Sequence, residues 1–108
     1  MRAPAIARRV FLLTRDLLFR GKLGAVCVAA GAEVVRDEAA CDLAVLELDA
    51  PEATDRLREL VGRGVPVLAF GSHVDAEQLR AARAAGAAAV PNSQVETRLR
   101  ELLGGLSS

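Results

Sequence analysis

The strongest constraint on the fold is the alternation of short apolar strands with helical segments along almost the whole chain. Five runs have the length and composition of buried strands: Val10–Leu13, Glu33–Val35, Leu43–Leu48, Val65–Phe70 and Ala87–Val90. Such alternation predicts a parallel sheet with right-handed crossovers and helices on both faces. For five strands, the flavodoxin-like order 2-1-3-4-5 is the natural solution. The sequence therefore predicts an α/β fold with one doubly wound parallel sheet.

The predicted helices have recognisable ends. Asp16 is suited to cap the first helix, and Gly31 is suited to end it. Asp49 and Glu52 have the spacing of a capping box, with Pro51 inside the first turn of the second helix. The other two helices have candidate caps at Asp75 and at Asn92 or Ser93. Because no linker or repeat interrupts the pattern, we expect one domain over residues 8–104, with short tails at 1–7 and 105–108.

Composition excludes several classes of function. The 108 residues are 52% hydrophobic, which is enough for one packed core, and 14 basic residues balance 14 acidic ones. A net charge of zero provides no long-range attraction for nucleic acid or for an anionic membrane. No segment approaches the ~20 apolar residues of a membrane span, and the first residues lack the apolar core of a signal peptide. Cys27 and Cys41 lack metal-type spacing, so we expect two reduced thiols in a cytoplasmic protein.

One crossover is too short to contain a helix. Only seven residues, 36–42, lie between the second and third predicted strands. A parallel crossover usually takes a dozen or more residues, whereas seven extended residues span ~23 Å and leave space for a single turn at most. The helix between strands 2 and 3 is therefore predicted to be reduced or absent. We expect a thinly covered sheet face there, filled by a second copy of the chain or by another protein.

Polar residues collect where the predicted strands end. In open parallel sheets, ligands and catalytic groups gather outside the carboxyl ends of the strands, beside the switch point next to the first strand. The candidate site residues at these ends are Thr14, Arg15, Asp16, Glu47, Asp49, Gly71 and Ser72.

Three stretches resemble the receiver domains of response regulators: Cys41–Pro51, Val65–Leu68 and Ala85–Ala87. The resemblance implies a phosphoacceptor aspartate, but the chain has Glu47 at that position. It also implies an acidic pair that holds magnesium, which falls on Thr14 and Arg15, with Asp16 one place late. The expected hydroxyl falls on Gly71, next to Ser72.

The resemblance further implies a lysine after the last strand, around residues 91–93. None is present there, and the single lysine of the chain, Lys22, lies in the first predicted helix. These concordant losses indicate a pseudo-receiver, which is a phosphorylation-independent protein-interaction module of bacterial signalling or regulation. Such a module has no cofactor, no metal and no enzymatic activity, and it acts through a protein partner or as a homodimer.

Several alternatives stay open at this point. Arg15 and Glu47 form a fixed ion pair or are both solvated. Asp16 and Asp49 hold a cation together with Glu47, or they cap helices. In a competing interpretation, the domain binds a small anion or ligand at the carboxyl ends of the strands. Ser72 and the adjacent His73 lack the Gly-x-Ser-x-Gly turn of a hydrolase, and no glycine-rich nucleotide loop is present.

Overall fold

The computed structural model describes residues 8–105, which form a single alternating series of strands and helices. The strands are β1 Arg9–Leu13, β2 Glu33–Val35, β3 Leu43–Glu47, β4 Val67–Gly71 and β5 Ala88–Pro91. The α-helices are α1 Leu17–Ala29, α2 Ala53–Gly62, α3 Ala76–Ala84 and α4 Val95–Gly105. The alternation predicted from the sequence is confirmed.

The five strands form one parallel sheet in the order β2-β1-β3-β4-β5. This is the predicted doubly wound order. All five residues of β4 are buried, and so are the first four residues of β3. Burial on both faces explains why these strands are continuous apolar runs and do not alternate between apolar and polar residues.

Each face of the sheet has its own apolar core. Helices α1 and α4 cover one face, and α2 and α3 cover the other. The first core includes Leu23, Phe70, Val95 and Leu99, and the second includes Leu46, Leu57, Leu60 and Leu79. Within residues 8–105, every helix is too short or too polar to cross a bilayer.

The connection between β2 and β3 contains a single 3₁₀ turn, Glu38–Ala40, as the sequence predicted. Two arginines of the α2 region hold this turn. The guanidinium of Arg56 forms an ion pair with the carboxylate of Glu38, and Nη2 of Arg63 donates to the carbonyl oxygen of Glu38 at 2.9 Å. The turn therefore docks on α2, and the following residue, Cys41, is buried in the core beneath.

The sheet face beside this turn is better covered than the sequence analysis expected. Phe11 is only 8% exposed and belongs to the same core cluster as Cys41. Leu13 and Val35 are partly buried and pack against that cluster. The turn and the neighbouring side chains thus replace part of the missing helix, and Leu13 and Val35 are covered less fully than Phe11.

The predicted capping box of the second helix is wrong. Helix α2 begins at Ala53, and Glu52 precedes it with a φ of 65° and makes no side-chain capping hydrogen bond. Asp49 lies in the turn between β3 and the helix, four residues before Ala53, so its side chain does not cap the first turn. The proline that was expected inside the helix, Pro51, lies in this turn as well.

Candidate functional site

The carboxyl ends of β1 and β3 bring Thr14 and Glu47 together. The two strands pair in parallel with Leu13 opposite Leu46, so the next residue of each strand lies at the same edge of the sheet. Oγ1 of Thr14 donates a hydrogen bond to Oε1 of Glu47 at 2.7 Å. The backbone N–H of Arg15 donates to the same oxygen at 3.0 Å. One carboxylate oxygen of Glu47 is therefore bound by two donors from the loop after β1.

Thr14 is the centre of this network and is only 7% exposed. Its hydroxyl oxygen also accepts a hydrogen bond from the backbone N–H of Asp16 at 3.1 Å. Its carbonyl oxygen accepts from Nη2 of Arg20 at 3.2 Å. A buried hydroxyl without partners would be costly, and here both its donor and its acceptor functions are used.

Asp16 caps α1, as predicted. Oδ1 of Asp16 accepts from the backbone N–H of Leu18 at 2.8 Å and from that of Phe19 at 3.4 Å. These bonds satisfy two of the unpaired N–H groups at the start of the helix. The side chain thus contributes to the helix terminus, and in residues 8–105 no three acidic, histidine or cysteine side chains are arranged to hold a metal ion.

The proposed ion pair between Arg15 and Glu47 is not formed. In the part of the chain that the structure describes, the ion pairs involve other residues, and Arg15 contacts Glu47 through its backbone N–H only. The side chain of Arg15 is exposed and forms no ion pair with the carboxylate that it was expected to neutralise. The charge of Glu47 is compensated by hydrogen-bond dipoles, and both residues lie where the sequence placed them.

The end of β4 contains a contact that the sequence analysis missed. A side chain at Gly71 would place its Cβ 3.3 Å from Oε1 of Gln78, so the missing side chain makes room for this glutamine from α3. Nε2 of Gln78 donates to the carbonyl oxygen of Leu48 at 3.3 Å, while Oε1 is buried without a hydrogen-bond partner. Gln78 thereby links α3 to the residue that follows β3. The sequence feature that allows this contact is Gly71, because a residue without a side chain leaves room for the long side chain of Gln78.

The hydroxyl of Ser72 is used within its own loop. Its Oγ accepts a hydrogen bond from the backbone N–H of Val74 at 3.3 Å. This is a local turn of the kind that serine often forms. The suggestion that Ser72 supplies the hydroxyl that Gly71 lacks finds no support in these contacts.

Comparisons with known proteins bear on the fold. No family model matches the chain, and no curated protein matches it. Among solved structures, a response regulator protein from Burkholderia multivorans is 21% identical with a TM-score of 0.71, and the match covers 95% of this chain and 97% of that one. HP1043, an orphan response regulator of H. pylori, is 14% identical with a TM-score of 0.69, covering 95% and 96%.

NtrX from Brucella abortus, in a structure with ADP, is 15% identical with a TM-score of 0.77. That match covers 93% of this chain and 27% of the NtrX chain, so the present chain spans about a quarter of NtrX. These identities are low, and the likeness concerns the fold. The chain has a receiver-like fold.

The end of β5 completes the edge of this receiver-like domain. A 3₁₀ turn, Asn92–Gln94, follows the strand and leads into α4, which begins at Val95. Oδ1 of Asn92 is buried and has no hydrogen-bond partner in the structure. The exposed Lys22 lies in α1, so no lysine follows β5, as the sequence indicated.

Proposed function

We propose that this domain is a phosphorylation-independent protein-interaction module of bacterial signalling or regulation. The observation that carries the proposal is the pairing of Glu47 with two donors of the β1–α1 loop, Thr14 and Arg15. Both hydrogen bonds go to Oε1, so they tie the side chain of Glu47 to the loop that would hold magnesium in a receiver domain.

Other residues at the strand ends also differ from those that the resemblance to receiver domains implies. By the resemblance, Thr14 and Arg15 occupy the positions of the metal-binding acidic pair, and here the hydroxyl of Thr14 and the backbone N–H of Arg15 donate to Glu47 instead. Gly71, at the hydroxyl position, is covered by the side chain of Gln78. Acyl phosphate formation needs a cation to neutralise the developing charge. Positions 14 and 15 supply no carboxylate for magnesium, and no lysine follows β5.

The proposed activity is binding and not catalysis. His73 is exposed in the loop after β4, and the neighbouring hydroxyl of Ser72 accepts from Val74, so these two residues do not form a nucleophile and base. Cys27 and Cys41 are buried free thiols, and burial raises the pKa of both, which keeps them protonated. A partner protein or a second copy of the chain would receive the signal through contacts between molecules.

A thermal-shift assay tests the absence of receiver chemistry. The protein is heated with magnesium and beryllofluoride, and a phosphorylatable receiver domain serves as the positive control. We expect no change in Tm, whereas a ligand at 100 times its Kd stabilises a protein by about 2.7 kcal/mol. Incubation with acetyl phosphate and magnesium, followed by intact-mass measurement, is expected to show no phosphorylated species. A mass increase at Glu47 would refute the proposal.

A small anion or ligand at the same strand ends is the second candidate. It is favoured by the guanidinium of Arg15, which has no hydrogen bond or ion pair in residues 8–105, and by the unpartnered Oδ1 of Asn92. Thermal shifts across nucleotides and inorganic phosphate test it. A rise in Tm that Arg15→Ala abolishes would support ligand binding over protein interaction.

A further inference from the structure

A shallow groove of about 760 Å³ lies between the outer side of α1 and the edge strand β2. Gly21 and Gly24 form part of its α1 wall, and a Cβ at either position would meet no atom within 4 Å. Val28 extends this wall and is 72% exposed, while Val34 of β2 contributes the opposite wall and is 36% exposed. We call this feature the α1–β2 groove.

The backbone of β2 is unpaired along the outer edge of the sheet. This strand is at the edge of the sheet and pairs with β1 alone. The N–H of Glu33 donates to the carbonyl oxygen of Arg8, so alternation along the strand turns the N–H and C=O of Val34 away from β1. An unpaired N–H and C=O at a sheet edge can accept an added strand.

The charge of the α1–β2 groove restricts what can enter it. Arg20 and Arg36 line the groove, and no carboxylate does. Arg20 donates to a carbonyl oxygen, which leaves its charge uncompensated, and Arg36 has no hydrogen bond or ion pair within residues 8–105. A second copy that presented the same groove would bring like charges together. An occupant with carboxylates would meet them with opposite charge.

From these observations we propose that the α1–β2 groove binds an extended segment of a partner protein, which adds a strand to the edge of β2. Apolar side chains of this segment pack on Val28 and Val34 beside the two glycines, and its carboxylates pair with Arg20 and Arg36. The inference rests on the proposed protein-interaction function and names the surface and the partner chemistry. The groove adjoins the loop after β1 through Arg20, and its lining does not include Glu47.

The test selects ligands from a displayed library of random peptides with the 108-residue chain as bait. Enriched peptides are synthesised, and their Kd values are measured by fluorescence anisotropy. We expect sequences in which apolar residues alternate and aspartate or glutamate is enriched. Arg36→Glu is expected to weaken binding about tenfold or more, and Arg58→Glu, an exposed arginine of α2 on the other face of the sheet, should leave it unchanged.

A second pair of variants separates loss of the groove from loss of the fold. Gly24→Gln fills the groove, and Gly62→Gln makes the same change on α2, where a Cβ also meets no atom within 4 Å. Both changes increase helix propensity, so both proteins should fold. Only Gly24→Gln is expected to abolish peptide binding.

Three results would overturn the groove proposal. The first is that no peptide is enriched above bait-free resin. The second is that the enriched peptides bind Arg36→Glu and Gly24→Gln with an unchanged Kd. The third is that the chain forms a dimer through the groove, seen as a dimer mass that Gly24→Gln eliminates. None of these results depends on beryllofluoride binding or phosphorylation. The proposed function is therefore tested separately, by the beryllofluoride and phosphorylation assays.

Discussion

Thr14 supplies the buried hydroxyl on which the loop after β1 depends. In Thr14→Val the shape is kept, but Oε1 of Glu47 loses its donor at 2.7 Å and the N–H of Asp16 loses its acceptor. A hydrogen bond to a charged group contributes about 1.5–3 kcal/mol, and we expect a loss of unfolding free energy in that range. Urea denaturation measures it, with the exposed Thr97→Val on α4 as the matched control. Equal midpoints for the two variants would contradict this assignment.

The substitution Arg15→Ala tests whether Arg15 contacts Glu47 through its backbone or through an ion pair. Arg15→Ala keeps the N–H that donates to Glu47 and removes only the exposed guanidinium. We therefore expect a change in unfolding free energy within about 0.5 kcal/mol, as for most surface substitutions. Urea denaturation of Arg15→Ala beside Glu47→Ala checks this. A loss from Arg15→Ala as large as that from Glu47→Ala would restore the ion pair.

The two cysteines should be inert in the native protein. Burial raises the pKa of Cys27 to about 11, and it raises that of Cys41 as well. At neutral pH the Cys27 thiolate is then present at about one part in ten thousand, and the thiolate is the reactive form. Iodoacetamide at neutral pH should add to neither residue in the folded chain and to both in guanidinium, as measured by intact mass. Rapid modification of native Cys27 would contradict its burial.

At the scale of elements, the 3₁₀ turn between β2 and β3 depends on its contacts with α2. Arg56 pairs with Glu38, whose Oε2 is buried and has no hydrogen-bond partner. Arg56→Ala would leave this half-buried carboxylate unpaired, so we expect the turn to open locally. Hydrogen exchange of the hydrogen-bonded amides of Ala39 and Ala40 should accelerate about tenfold or more, while Arg58→Ala on the same helix has no effect on them. Unchanged protection in Arg56→Ala would show that the ion pair does not hold the turn.

Some elements of the fold were predicted correctly from the sequence, and the start of one helix was not. Continuous apolar runs predicted the strands, because burial on both faces requires such runs. The alternation of strands with helices predicted the strand order, and the short connection between strands 2 and 3 predicted the missing helix. The start of α2 was mispredicted, since the Asp49 and Glu52 spacing fits a capping box but the chain makes an additional turn with Glu52 at positive φ. Such a turn follows from how β3 joins the helix in space. Local spacing does not contain that information.

For the whole molecule, strand order predicted which residues meet at the sheet edge, but it did not predict which atoms bind. The sequence correctly predicted that Arg15 and Glu47 are neighbours. The donor is the backbone N–H of Arg15, whereas the prediction named its guanidinium. The contact between Gly71 and Gln78 joins residues on β4 and α3 and depends on side-chain conformation. A zero net charge likewise concealed the positive α1–β2 groove, since the groove is local.

Under the proposed function, several positions of the site lack receiver chemistry, so one reversion should not restore phosphotransfer. Glu47→Asp recreates the phosphoacceptor side chain, but Thr14 and Arg15 still supply no metal ligands and Gly71 still supplies no hydroxyl. We expect no change in the Tm of Glu47→Asp with magnesium and beryllofluoride. Binding at 100 times Kd would add about 2.7 kcal/mol, which is a shift of more than about 10 °C for a domain of this size. A shift of that size in Glu47→Asp alone would mean that Glu47 is the only barrier to receiver chemistry.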